Sequence, residues 1–391
     1  MRSLPVPKGD GPFKNILARS RSTGGPTYLF AALLCSLACG SPPALVVLEA
    51  RETGTVSQPT FIIGRDGAGS ALLWGRSVWT FGDTVSSVAD AAGATWHNNS
   101  CAYTANLSAA GGVTLTSPTD SVGAPLYLLP PTADEAAFIA AHQGNPCQQT
   151  PCGARFAAWP GAPVFDAARN RALVPYGLVW AAPGDFNFYG VGQSFAVWND
   201  VSAAAERPIV SPGTAHPTLL FGEDEPAFGT AAVVEGDELF AFGCVQDGLT
   251  FHCLVGKVGL EALFDRSAWS YWDGASWSPA LSAARPVLDA SSIVSVQYNA
   301  YLGQWTAIYS AVLSNDVLIR TAASLTGPWS DATRLFTADR RGMGGTSYDA
   351  QAHAEFAENG GQVVYVSYSR PNGNGLFGTE FALVRISLGR P

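Results

Sequence analysis

The feature that most limits what this chain can fold into is a repeated hairpin. An alternating apolar strand, a glycine-containing turn and an aromatic-rich second strand recur five times. The copies are "GSALLWGRSVWTFGD" (69–83), "APVFDAARNRALVPYGLVW" (162–180), "GTAAVVEGDELFAFGC" (229–244), "SIVSVQYNAYLGQWTAIYS" (292–310) and "HAEFAENGGQVVYVSYS" (353–369). Units two to five begin about 60 to 67 residues apart. A third apolar strand follows each hairpin: "SCAYTANL", "SFAVWND", "FHCLVGKV", "VLIRTAA" and "EFALVRISL". The remaining length fits a fourth, outer strand. Apolar alternation broken by glycine turns specifies strands. Four strands in about 40 to 60 residues, repeated, is the pattern of propeller blades. The expectation is an all-β fold, a five-bladed β-propeller. "ALVVLEA" (44–50) is expected to pair with the last blade and close the ring. A β-sandwich or two β-domains is the alternative, and the even spacing without a linker-like break speaks against it. The nearest helical candidates are short, at 133–141 and 202–206.

The N-terminal segment reads as an export signal. Arg2, Lys8, Lys14, Arg19 and Arg21 precede the apolar run "YLFAALLCSLA" (28–38). That run is too short to cross a bilayer and suits a signal peptide over residues 1–38. Cys39 would be the first mature residue, placed where a bacterial lipoprotein is lipidated; ordinary cleavage after Ala38 is the other reading. Residues 39–55 then form a linker and the ring-closing strand, and 56–391 a single propeller domain. The expected location is the outer membrane or cell surface as a lipoprotein, or free secretion, and the expected state is a monomer. Any membrane contact would run through the lipid.

Charge and cysteines narrow the partners. The chain carries a net −9, and removing a leader with a net +4 leaves −13. Such a charge excludes nucleic acid as a natural partner and leaves a neutral glycan open. Export permits disulfides. Cys147 and Cys152 bracket "QQTP"; Cys244 and Cys253 flank "VQDGLTFH" and are expected to face each other across two strands. Cys101 is left over as a buried thiol. No pair has Cys-x-x-Cys spacing and the five His are scattered, so neither a metal site nor a cofactor is expected.

Two carboxylates stand out in "GRDGAGSALLWGRSVWTFGDT" (64–84), at Asp66 and Asp83. With Gly75-Arg76 as a two-residue turn, paired residue numbers sum to 151, so Ala68 faces Asp83 and Asp66 faces Val85. The carboxyl groups then lie roughly 5–10 Å apart, the range of glycosidase carboxylate pairs. Unit three has Cys244 where unit one has Asp83, so the hairpin does not need an acid there. The blander reading is that an Asp after Gly caps a turn. Other groups gather at equivalent blade ends. Glu225 and Asp349 are candidates for a third acid. Trp96, His97, Asn98, Trp180, Tyr348 and His353 are candidates for holding a sugar, with Tyr189 as a further stacking ring.

Several stretches carry a family resemblance. "GRDGAGSALLWGRSVWTFGDT", "HNNS" (97–100), "FDRSAWSYWDGASWSP" (264–279), "LGQWTAIYS" (302–310), "SLTGPWSDATRLF" (324–336) and the closing "AQAHAEFAENGGQVVYVSYSRPNG" resemble the domain of unknown function 4185 family. The resemblance spans about residues 56 to 388. It implies a five-bladed propeller of glycoside hydrolase type, with the endo-D-arabinanase activity of glycoside hydrolase family 183. Carried over, Asp66 and Asp83 would be the acid and the nucleophile or base.

The leading expectation is thus an exported glycoside hydrolase acting on a furanose-containing, D-arabinan-like polysaccharide. The alternative is a non-catalytic glycan-binding or surface adhesion propeller. An esterase or lyase is weaker, because no Gly-x-Ser-x-Gly elbow is present.

Overall fold

The structure is a computed structural model, and it describes residues 45–184, 186–373 and 378–390. The expected leader and Cys39 lie outside the described residues.

The five repeated units are built on antiparallel ladders, with unit one divided between two sheets. In unit one, Gly69–Leu73, Arg76–Phe81 and Ser100–Thr104 pair in turn. Ile62–Arg65, Thr84–Ser86 and Trp96–His97 continue the same ladders at the open end. In unit two, Arg155–Pro160 and Val164–Asp166 both pair with Arg171–Ala181, which pairs with Phe188–Trp198. Unit three is built on Ala227–Glu235, Glu238–Asp247 and Thr250–Gly259, and unit four on Ser295–Asn299, Gln304–Ser310, Asp316–Ala322 and Thr333–Thr337. Unit five holds Tyr348–Ala352, Val363–Pro371 and Thr379–Gly389. The N-terminal strand Val46–Ser57 pairs with Thr379–Gly389, Val46 opposite Gly389, so both ends of the described chain share the last sheet.

Both faces of these sheets are buried. Successive residues point to opposite faces of a strand: Val78 packs against unit two, and its neighbour Trp79 packs against unit five. The hydrophobic clusters follow this rule. Each joins one unit to the next, and one joins Trp79 and Phe81 of unit one to Tyr365 and Phe381 of unit five. The sheets approach closely at glycines. A Cβ on Gly69 would sit 2.6 Å from Ala162 Cα, and one on Gly229 2.9 Å from Pro175 Cβ. That contact explains why units one and three both open on glycine.

The hairpin of unit one differs from the expected pairing. Its turn is Trp74-Gly75, with φ of 50° and 74°, and Leu73 faces Arg76. Paired residue numbers sum to 149. A two-residue turn that matches strand twist needs positive φ at both central positions, and Arg76 stays in the strand. Trp74 tolerates the left-handed backbone because its ring packs edge-on against Trp198 (5.7 Å) and Phe165 (6.2 Å), and its Nε1 donates to Asn170 O (3.3 Å). A slip of two residues keeps every side chain on its original face.

Three smaller features bear on the expectations. "HAEF" is a 3₁₀ turn, Ala354–Phe356, and the first strand of unit five lies ahead of it. Residues 202–206 are not helical, because Asp200 Oδ1 accepts from both the N–H and the hydroxyl of Ser202. Ala133–His142 is helical, with a capping box between Thr132 and Glu135.

Cys147–Cys152 and Cys244–Cys253 are disulfide-bonded, and Cys101 is free and buried. No described helix is long and apolar enough to cross a membrane. Cys244 and Cys253 stand directly opposite each other in their ladder. Replacing both by Ser should lower stability by about 2–3 kcal/mol, the loop-closure estimate for so short a loop. The urea midpoint of the variant checks this.

Candidate active site

The observed register brings Asp66 opposite Asp83, since these numbers also sum to 149. Asp66 N–H donates to Asp83 O (2.9 Å), and Gly82 N–H donates to Asp66 O (2.7 Å). The Asp66 backbone therefore bonds to both Gly82 and Asp83, and the pairing keeps the same register on either side of them. Directly opposed residues carry Cβ atoms about 4.5–5.5 Å apart.

A third carboxylate arrives from unit five. Asp349 is buried, 4% exposed, and its Oδ2 accepts the N–H of Gly67 (2.9 Å). Its φ is 57°, a left-handed conformation that Asp and Asn adopt more readily than most residues. Its neighbour Tyr348 donates its hydroxyl to Asp66 Oδ1 (2.5 Å).

Burial raises the pKa of all three acids. Asp349 is pushed up to about 7 by burial and then by the Asp66 charge, against the pull of the Gly67 N–H. Asp83 is raised to about 6 by burial; the Trp96 N–H draws it back, and the Asp66 charge pushes it up again. Asp66 is raised by burial and held down by the Tyr348 hydroxyl. Arg155 lies 5.7 Å over the Trp96 ring and also lowers the Asp83 pKa. The buried Trp159 Nε1 is turned to Asp83 and also lowers its pKa. Carboxyl groups whose surroundings push their proton affinities apart are the usual basis for dividing acid and base roles. Among the described residues no group of three or more His, Cys, Asp or Glu is arranged to hold a metal ion.

Comparison with known proteins adds a family match. Residues 193–375 match the family model described as a domain of unknown function, DUF4185. The DUF4185 span takes in Tyr348 and Asp349 and leaves out Asp66 and Asp83. No curated protein matches the chain. Among solved structures, the chain is similar to the α-L-arabinofuranosidase PaAbf62A from Podospora anserina in complex with cellotriose. Identity there is 13% and TM-score 0.45, with 88% of this chain and 98% of that one covered. It is also similar to an exo-β-1,3-galactanase from Phanerochaete chrysosporium, at 11% identity and TM-score 0.47, covering 86% and 64%. A GH43_1 enzyme from Xanthomonas citri aligns at 12% identity and TM-score 0.45, covering 85% and 90%.

The structure distributes the expected site residues unevenly. Trp96 and Tyr348 are exposed beside the acids. Glu225 is elsewhere: Arg266 Nη2 donates to it (2.6 Å), and so does Gly222 N–H (2.9 Å), so it braces a loop. His97 is buried, stacked on Tyr127 at 4.2 Å, with Nε2 3.3 Å from Asp90. Asn98 Oδ1 accepts from Asn99 Nδ2 (2.6 Å), and Asn99 is itself buried in bonds to Leu129 and Ala158. Trp180 stacks on Tyr189 at 5.2 Å near the C-terminal end of its strand, next to Ala181, which pairs with Arg155. His353 sits inside the contact between units one and five, 1% exposed. There it bonds Ser70 (2.6 Å) and Ser367 (2.8 Å) and stacks on Trp79. Burial depresses its pKa to about 3, so the ring is neutral and structural.

Sequence reasoning missed Arg155 and Trp159. They lie in Arg155–Pro160, a strand preceding the expected start of unit two. The signal was "RFAAWP", but Gly161 and Pro163 interrupt it before the recognised hairpin.

Proposed function

We propose that this chain is a closed five-bladed β-propeller whose acid cluster hydrolyses glycosidic bonds in a neutral, furanose-containing polysaccharide of the D-arabinan type. The ring reading is supported by clusters that join each unit to the next and the last to the first. The observation that carries the function is Asp66 opposite Asp83, with the Tyr348 hydroxyl donating to Asp66 and the Trp96 side chain bonding Asp83. In this reading Asp83 protonates the departing glycosidic oxygen. Asp66, whose hydrogen bond from Tyr348 opposes the rise that burial causes, serves the anomeric side. Asp349, neutral below about pH 7, adds no second charge beside Asp66. The arabinan assignment rests on the resemblance of the 64–84 element to the DUF4185 family. Export, with Cys39 as a lipid anchor, fits a polymeric substrate outside the cell, and the two disulfides support it.

The test is reducing-end release by the purified chain from arabinans, galactans and xylans. Release from an arabinan supports the proposal. Binding without release on every polymer returns the chain to the glycan-binding alternative.

A pH dependence follows. Turnover should fall as pH rises through about 6, where Asp83 loses its proton. Trp96→Phe removes an N–H that stabilises the ionised form, so the alkaline limb of kcat/KM should move to higher pH. An unmoved limb would take Asp83 out of the acid role.

A further inference from the structure

We infer that an aromatic ledge on unit two extends the acid cluster into a track for several successive sugars of a neutral polymer; this rests on the proposed hydrolase reading and specifies its substrate as a chain.

Six aromatic side chains among the described residues are strongly exposed: Trp96, Phe186, Phe188, Tyr189, Tyr298 and Tyr348. Trp96 and Tyr348 border Asp83 and Asp66. Phe186, Phe188 and Tyr189 sit together where Arg171–Ala181 turns into Phe188–Trp198. Tyr298 lies on unit four, edge-on against Trp305.

The two groups are continuous. Trp159 acts on Asp83 and meets Phe188 edge-on, with ring centroids 5.3 Å apart. Tyr189, the next residue, points to the other face of the strand and stacks there on Trp180 at 5.2 Å, so the ledge runs through Trp159, Phe188 and Phe186. Phe186 stands beyond, 90% exposed. Clustered exposed rings are costly in water and mark a surface with an occupant. The strand Phe188–Trp198 holds no charged residue, and the neighbouring acids repel anions. The rings therefore suit the apolar faces of uncharged sugars, and their reach beyond the acids suits a chain longer than the bond being cut.

The test compares wild type, Phe186→Ser/Phe188→Ser and Tyr298→Ala as a control on a distant exposed ring. The first readout is the ratio of kcat/KM on soluble arabinan to kcat/KM on an aryl arabinofuranoside. The ratio should fall about tenfold or more in the ledge variant and hold in the control. The second readout is retardation in gels containing arabinan or polygalacturonate, which needs no turnover. Arabinan should retard wild type and not the ledge variant, and polygalacturonate should retard neither. Retardation without hydrolysis would remove the hydrolase reading and keep the ledge. An unchanged ratio with unchanged retardation, or equal retardation by the polyanion, would overturn the ledge. Should the double variant misfold, Phe186→Ser alone carries the same comparison, since that side chain is 90% exposed.

Discussion

Asp83→Asn should lower kcat on arabinan by about 10²–10⁴-fold, the contribution of a positioned general acid, while sparing a substrate with an activated leaving group. A glycosidic alkoxide is a poor leaving group and needs a proton as its bond breaks; a nitrophenolate leaves without one. The loss should therefore shrink sharply on a nitrophenyl arabinofuranoside. Asp66→Asn should lose activity on both substrates, because Asp66 serves the anomeric centre whatever leaves. Both variants should fold. Asn keeps an acceptor for the Trp96 N–H at position 83 and for the Tyr348 hydroxyl at position 66. Equal losses for Asp83→Asn on both substrates would move Asp83 out of the acid role.

Asp349→Asn should change stability, in a direction set by pH. The folded pKa of Asp349 is about 7 against an ordinary 3.8, raised first by burial. A raised folded pKa means that its stabilising contribution is full below the unfolded value and is lost as pH rises through the folded one. Between about pH 4 and 7 the unfolded chain releases this proton while the folded chain keeps it. Three pH units at about 1.36 kcal/mol each amount to about 4 kcal/mol as an upper bound. Asn carries no proton to lose, keeps an acceptor for the Gly67 N–H and tolerates φ near 57°. The variant should match wild type near pH 4 and exceed it at pH 8, less what the charged acceptor contributed to its hydrogen bond. Guanidinium midpoints at pH 4, 6 and 8 measure the difference. A wild-type advantage at pH 8 would show that Asp349 is held ionised by groups acting more strongly than burial.

The repeated unit was legible because glycine turns and apolar alternation are local. They placed the third strands and the pairing of the N-terminal strand with the last sheet. The turn of unit one was misplaced by one residue, which shifts the pairing register by two, because Trp74 adopts a left-handed backbone that its packing on Trp198 and Phe165 makes tolerable. Local propensity points to Gly75-Arg76 instead. That error mattered for the site: the expected register left the two acids offset, and the observed one sets them face to face. Asp349 was readable as an acid near a blade end, but its bond to Gly67 joins residues 282 apart in sequence. His353 read as a polar group at the same end, yet Ser70, Ser367 and Trp79 enclose it between units. Arg155 and Trp159 were hidden because their strand adjoins an inserted helix and breaks at Gly161.

The central claim is that Asp66 and Asp83 together cut a glycan. Its most direct test is a time course of reducing-end release from arabinan by wild type, Asp66→Asn and Asp83→Asn, run beside gel retardation of all three. The prediction is that all three bind and only wild type releases ends at an appreciable rate. Binding by all three with no release by wild type, or release by both variants at the wild-type rate, would contradict it.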